Sequence, residues 1–168
     1  KAMKKAKLGD DVYGEDPTVN ELQFRIAELF CMEKALFFPT GTMANQTAIK
    51  LHTSPGDQVI CDKYSHIYNY EGGGASFNSG VSCKLIGGKR GMIDSNQVLD
   101  SINAPDFYHS PPSSLVVLEN TTNKGGGACW NFSAIEKIKG VCNDHNLGLH
   151  LDGARLWNAL EVKKEQPS

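Results

Sequence analysis

Four stretches of this 168-residue chain carry side chains suited to binding anions or moving protons. Thr40-Gly41-Thr42 follows an apolar run closed by Pro39 and leads into a helical pattern. A helix N-terminus presents free N–H groups and partial positive charge, which attract phosphate. A glycine there lets a ligand approach the backbone. Asp62 and His66 follow the apolar segment 58–61, with Tyr64, Tyr68, Tyr70 and Glu71 close by and three glycines after them. Glu119-Asn120 ends the apolar run 115–118, and Asp152 ends the run 147–151, three residues before Arg155. An acid at Asp152 that faced a pyridine nitrogen would keep that nitrogen protonated and make the ring an electron sink.

Taken singly, each stretch has a plainer reading. Thr40 and Gly41 make a helix cap. Asp152 and Arg155 make a local ion pair, since perturbed pairs are often structural. A lone histidine such as His66 is more often packed than functional. Other chemistries lack their residues: there is no G-K-[ST] loop and no H-E-x-x-H, and no G-x-S-x-G elbow for a serine nucleophile. His52, His109, His145 and His150 show no ligand spacing, and no metal site is expected.

The elements that must position these residues alternate. Thr18-Val19-Asn20-Glu21 has the form of a capping box after Pro17, and Val19, Leu22, Ile26, Leu29 and Phe30 recur at helical spacing. Ala35-Leu36-Phe37-Phe38 has the length of a strand. A helix is predicted over 43–51, strands over 58–61 and 81–86, and a helix capped by Asp94 that carries Val98, Leu99 and Ile102. Residues 114–119 form a continuously apolar strand, as for one covered on both faces. Ser133-Ala134-Ile135-Glu136 reads as a second capping box, opening a helix with Ile135, Ile138, Val141 and Cys142 on one side. The last strand covers 147–151, and Ala2 to Ala6 reads as a helix entered mid-way. Such alternation implies an α/β domain with a largely parallel sheet and flanking helices. Ligands bind beyond the carboxyl ends of the strands in such sheets, which is where all four stretches fall.

Composition excludes several partners. Hydrophobic residues make up 40% of the chain and charged ones 21%, ordinary for one globular domain. A net charge of −2 offers no basic face for nucleic acid. No apolar run approaches the ~20 residues of a membrane span. The basic start runs into Gly9-Asp10-Asp11 rather than an apolar region, so no signal peptide is expected. Five cysteines, with no C-x-x-C pair, predict free thiols in a cytoplasmic protein. Cys31, Cys61 and Cys142 are expected to pack as small hydrophobes.

The motifs together resemble the L-threonine aldolase family (aromatic amino acid β-eliminating lyase/threonine aldolase). The run from Asp10 to Leu22, DDVYGEDPTVNEL, is similar to its opening signature, and FPTGTMANQ from Phe38 to its phosphate loop. Ser65-His66-Ile67 with Tyr70-Glu71, Glu119-Asn120-Thr121, and His150-Leu151-Asp152-Gly153-Ala154-Arg155 complete an ordered set covering nearly the whole chain.

That resemblance implies the large domain of a fold type I enzyme using pyridoxal 5'-phosphate, usually a homotetramer with shared active sites. It implies an amino-acid substrate: L-threonine or L-allo-threonine, cleaved at Cα–Cβ to glycine and an aldehyde. It assigns the cofactor phosphate to Gly41 and Thr42, ring stacking and proton handling to His66, the pyridine nitrogen to Asp152, and the cofactor hydroxyl and substrate carboxylate to Arg155. Tyr13 and Tyr70 help form the site, and Glu71 belongs to the base network. By the same resemblance, residues 1–168 make up one domain, most of the large domain. An upstream serine segment, the S-K-G lysine that holds the cofactor covalently, and a smaller C-terminal domain lie outside it. Lys163 and Lys164 come too early and lack the S-K-G context, so these residues by themselves are expected to be inactive. Thr122 stands where many relatives have histidine. A β-eliminating lyase or racemase on the same fold, or a non-catalytic domain, are the alternatives.

Overall fold

The computed structural model describes residues 2–167. It divides into two compact units, Lys1–Pro39 with Gln166–Ser168, and Thr40–Glu165.

In the first unit, helix α1 spans Pro17–Leu29. Its cap is Asp16 rather than the expected Thr18: Asp16 Oδ1 accepts from the N–H groups of Thr18 and Val19 at 2.9 and 3.0 Å. Pro17 takes the first helical position, where a missing N–H costs nothing, so the helix starts before the threonine. Thr18 instead donates its hydroxyl to Lys7 O. The expected N-terminal helix is only a 3-10 turn, Met3–Lys5. Residues 35–38 form no strand. A strand requires a neighbour for its N–H and C=O groups, and among the described residues none pairs with this segment; Phe37 N–H donates to the Gln23 side chain instead. Cys31 is exposed, contrary to expectation. It sits just past the helix in a left-handed turn (φ 51°).

The second unit holds a four-stranded, all-parallel sheet in the order β2-β1-β3-β4. The strands are β1 (Gln58–Asp62), β2 (Ser82–Ile86), β3 (Ser113–Glu119) and β4 (Gly148–Asp152). Side-chain alternation divides the core in two. Val59, Cys61, Leu115 and Val117 pack with Ile49 and Ile67 on one face, beside helices α2 (Gly41–His52), α3 (His66–Asn69) and α4 (Gly74–Ser79). Ile60, Val116 and Leu118 pack with Trp130, Ile138 and Cys142 on the other, beside α5 (Ser95–Leu99) and α6 (Phe132–Asp144). Burying both faces is why 115–118 is apolar without a break.

Asp94 caps α5 through a full capping box with Gln97, but the helix ends before Ile102. Helix α6 begins at Phe132 with Asn131 as N-cap, so the predicted Ser133 box is not the cap. Phe132 already has helical backbone, which puts Ser133 inside the first turn, where its side chain can no longer close the end. Two short helices lacked a clear periodic signal, α4 and α7 (Leu156–Lys163). The register pairs Glu119 with Asp152 at the carboxyl ends of β3 and β4, with Asp62 closing β1.

Candidate active site

A pocket of about 240 Å³ opens at these strand ends. One wall is the start of α2. Thr40 Oγ1 accepts from Met43 N–H (3.1 Å) and Thr40 O from Ala44 N–H (3.2 Å). The N–H groups of Gly41 and Thr42, the first two helical residues, have no intrahelical acceptor, and both residues line the pocket. A Cβ on Gly41 would meet nothing within 4 Å, so ligand space begins at the backbone itself.

One turn further along α2, Asn45 ties the site together. Its Nδ2 donates to Glu71 Oε1 and to Asp152 Oδ2, both at 2.9 Å, and its Oδ1 lies 2.9 Å from His150 Nε2. The amide oxygen can only accept, so His150 carries its proton on Nε2. Burial pushes the His150 pKa below its usual value. Glu71 Oε2 accepts from Gln46 Nε2 at 2.6 Å, and Asp152 Oδ1 from Ala154 N–H at 3.1 Å.

His66 begins α3 and lines the pocket. Its Nδ1 lies 2.9 Å from Glu71 Oε1, on a carboxylate whose side chain is fully buried. That bond places the proton on Nδ1 and leaves Nε2 with a lone pair. Tyr70 packs against the ring, centroids 5.5 Å apart, and Lys124 Nζ stands 5.3 Å from the Tyr70 centroid.

The opposite wall is Glu119, Asn123 and Arg155. Glu119 accepts from Asn123 N–H at 2.9 Å and from His66 N–H at 3.3 Å. Burial raises its pKa, with Asp152 adding to the rise and the two amides opposing it. Arg155 Nη1 is 4.0 Å from Glu119 Oε1, and Nη2 donates to Asn123 Oδ1 at 3.3 Å. The plain Asp152–Arg155 pair is therefore not formed; the guanidinium turns to Glu119. Beside Glu119, a small cavity of about 10 Å³ is lined in part by Ser65 and Thr122, whose buried hydroxyl oxygens have no protein partner. That volume holds about one water. Thr122 faces this cavity rather than the pocket.

Gly41, Thr42, His66, Asp152 and Arg155 thus meet around one pocket, with Glu71 directly behind His66 and Tyr70 at its edge. Tyr13 belongs to the other unit, where it is exposed. Sequence reasoning missed Asn45, Gln46, Asn123 and the role of His150. Two signals were there to read. Asn45 is four residues after Gly41, on the same helix face, and His150 is two before Asp152, on the same face of β4. The His66, Glu71 and Asp152 donor atoms lie within 4.8 Å of one another, close enough for a metal. The Asn45 amide already donates to both carboxylates, which commits them to hydrogen bonding.

The sheet, its flanking helices and this strand-end pocket have the fold of part of the large domain of fold type I enzymes. The same fold occurs, at 20% identity and a TM-score of 0.58 over 79% of this chain and 30% of the other, in a serine palmitoyltransferase from S. paucimobilis whose structure has bound PLP-myriocin aldimine. The beta-eliminating lyase family model matches residues 1–168, and the chain belongs to that family. It is 39% identical over 160 residues to the low specificity L-threonine aldolase of Escherichia coli K12, covering 95% of this chain and 47% of that protein. It is 38% identical over 163 residues to low-specificity L-threonine aldolase 1 of Arabidopsis thaliana, covering 94% and 45%. A threonine aldolase structure from Leishmania major superposes with a TM-score of 0.80 at 29% identity, covering 88% of this chain and 43% of the other. The chain spans less than half the length of the relatives it matches.

Proposed function

We propose that this chain supplies the phosphate, ring and carboxylate contacts of a pyridoxal-phosphate lyase. The enzyme cleaves L-threonine and L-allo-threonine at Cα–Cβ to glycine and acetaldehyde. The observation that carries the reading is the convergence, in one pocket, of a helix N-terminus with an open glycine, a carboxylate-backed histidine, an anchored aspartate and an arginine. The relatives' names favour the aldolase over a β-eliminating lyase or a racemase.

These residues fit the cofactor. Gly41 and Thr42 offer N–H groups for its phosphate, His66 a ring to lie against its ring, and Asp152 a fixed carboxylate for its nitrogen. When bound, pyridoxal phosphate supplies the electron sink for charge released at Cα. The protein does the rest. His66 Nε2 accepts the proton of the β-hydroxyl, and Glu71 at Nδ1 holds the ring's orientation and stabilises the positive charge it gains. Asn45 keeps Glu71 and Asp152 in place, and Arg155 takes the substrate carboxylate.

The proposal extends to a cytoplasmic homotetramer acting in threonine breakdown and glycine formation, with Tyr13 and Tyr70 helping to form shared sites. All five thiols are free, in keeping with a reducing compartment. No helix among the described residues is long and apolar enough to cross a membrane.

The test is aldehyde release from both threonine epimers by the full-length protein with pyridoxal phosphate. Glycine and acetaldehyde in equal amounts are expected. Ammonia with a keto acid, or epimerised amino acid, would show another reaction on the same scaffold. Borohydride reduction with peptide mapping identifies the cofactor lysine; an adduct on Lys163 or Lys164 would overturn the reading of the S-K-G segment.

A further inference from the structure

Glu119 is the one acid of the pocket wall that the proposed chemistry leaves without a task. It is 7% exposed and joins three segments that reach the site separately. One oxygen accepts from the backbone of His66 after β1. The other accepts from Asn123 after β3 and faces Arg155 after β4. Asn123 repeats the connection, because its own side-chain oxygen accepts from Arg155 Nη2. Arg155 is itself half-exposed, with 44% of its side chain accessible. An arginine that open has many rotamers, and holding it costs side-chain entropy unless fixed acceptors meet it. The only carboxylate among the described residues that meets it is Glu119.

We infer that Glu119 is a positioning residue: it aims the Arg155 guanidinium across the pocket, so that affinity for an amino-acid carboxylate depends on a side chain that need not touch the ligand. This rests on the proposed reading of Arg155. Glu119 acts through Arg155 and through the entry of α3 at His66. Burial raises its pKa and Asp152 adds to the rise, while the backbone amides of Asn123 and His66 and the His66 ring oppose it. The small cavity lined by Ser65 and Thr122 leaves room beside it for one water, which would let the carboxyl change its protonation without losing a partner.

The experiment measures glycine binding by calorimetry to the full-length, cofactor-loaded protein. The variants are Glu119→Gln, Arg155→Lys and the double substitution. Glu119→Gln should weaken glycine binding about tenfold, the size of coupling between residues in direct contact. In the Arg155→Lys background the same change should add little, because the guanidinium it aims is gone. Effects that multiply, or wild-type affinity in Glu119→Gln, overturn the inference; so does a wild-type protein that binds no glycine. Thermal unfolding separates a structural role: a lowered melting temperature with unchanged affinity per folded molecule also overturns it. Should Glu119→Gln fail to fold, Asn123→Ala removes the second Arg155 acceptor and should weaken binding in the same direction; unchanged affinity there counts against the inference. The aldehyde assay is read separately. Glycine affinity that depends on Glu119 in a protein releasing no aldehyde would sink the proposed reaction and leave this inference standing.

Discussion

Glu119 and Asp152 are register partners at the ends of neighbouring strands, yet the two sides of the pocket they begin are built differently. On the Asp152 side the side-chain donors come from helices and a strand, with one backbone amide, that of Ala154, added from the turn after β4. Asn45 and Gln46 lie on α2 and His150 on β4, and the acids they join are buried. On the Glu119 side two partners come from connections, Asn123 from the loop after β3 and Arg155 from the turn after β4, and the third is the backbone of His66, the first residue of α3. Regular elements hold a geometry more tightly than loops do. The first side can therefore hold what does not vary, a cofactor ring. The second can adjust to what does, a substrate carboxylate and its side chain.

The largest effect should come from breaking the rigid side. Asn45→Leu leaves Glu71, Asp152 and His150 each short of one hydrogen bond in a buried place. At roughly 1–3 kcal/mol for each orphaned group, the loss should total about 3 kcal/mol or more. A melting temperature lowered by about 10 °C, from the ~2–4 °C per kcal/mol typical of this size, would bear that out; an unchanged one would mean water replaces the amide and the side is less rigid than drawn. Asp152→Asn keeps the shape and removes the charge. Aldehyde release should fall about 100-fold or more, comparable to losing one fixed electrostatic contact at a reacting centre, with little change in melting.

Gly41→Ala sharpens the contrast between stability and binding. Its Cβ would meet no protein atom, so the fold should melt as before. The methyl would stand in the ligand's space, and cofactor affinity should drop about tenfold, as for a contact worth ~1.4 kcal/mol. Equal affinity would place the phosphate elsewhere.

The smallest effects are pH slopes, and they carry opposite signs. Glu119 has a raised pKa in the fold, so the folded state binds more protons than the unfolded one above the ordinary carboxyl range; its contribution to stability falls as pH rises through that window. His150 has a lowered pKa, so the unfolded state takes up the proton first as pH drops below about 6.5, and stability is lost in that direction. Melting temperature against pH should lose the acid-side slope in Glu119→Gln and the near-neutral slope in His150→Gln. If either substitution flattens both, the two sides are one network.

Much of this was legible before the structure. Strand ends could be placed because 58–61, 115–118 and 147–151 are apolar runs closed by acids, and ligands gather at such ends. The helix cap is ambiguous in sequence because two cap-forming residues, Asp16 and Thr18, flank Pro17, and only the proline's fixed geometry chooses between them. Residues 35–38 have a strand's composition, but a strand is a relation between segments, and composition reports only one of them. Asn45 is silent in the sequence for a related reason. Its importance lies in contacts with residues 26 and 107 positions away, and no local pattern encodes such distances.

The Asn45 amide also gives the hydrogen bonds of the site a direction. Its NH₂ points at two carboxylates and its oxygen receives the His150 proton, while Gln46 and the Ala154 amide add donors of their own. Turning the amide over would set its oxygen against both acids at once, so the arrangement cannot reverse. The acids of this network are met only by N–H groups, and the ring nitrogen left open on the pocket wall is His66 Nε2. In the proposed reaction, a proton that His66 Nε2 takes from a ligand would return by the way it came, toward the product.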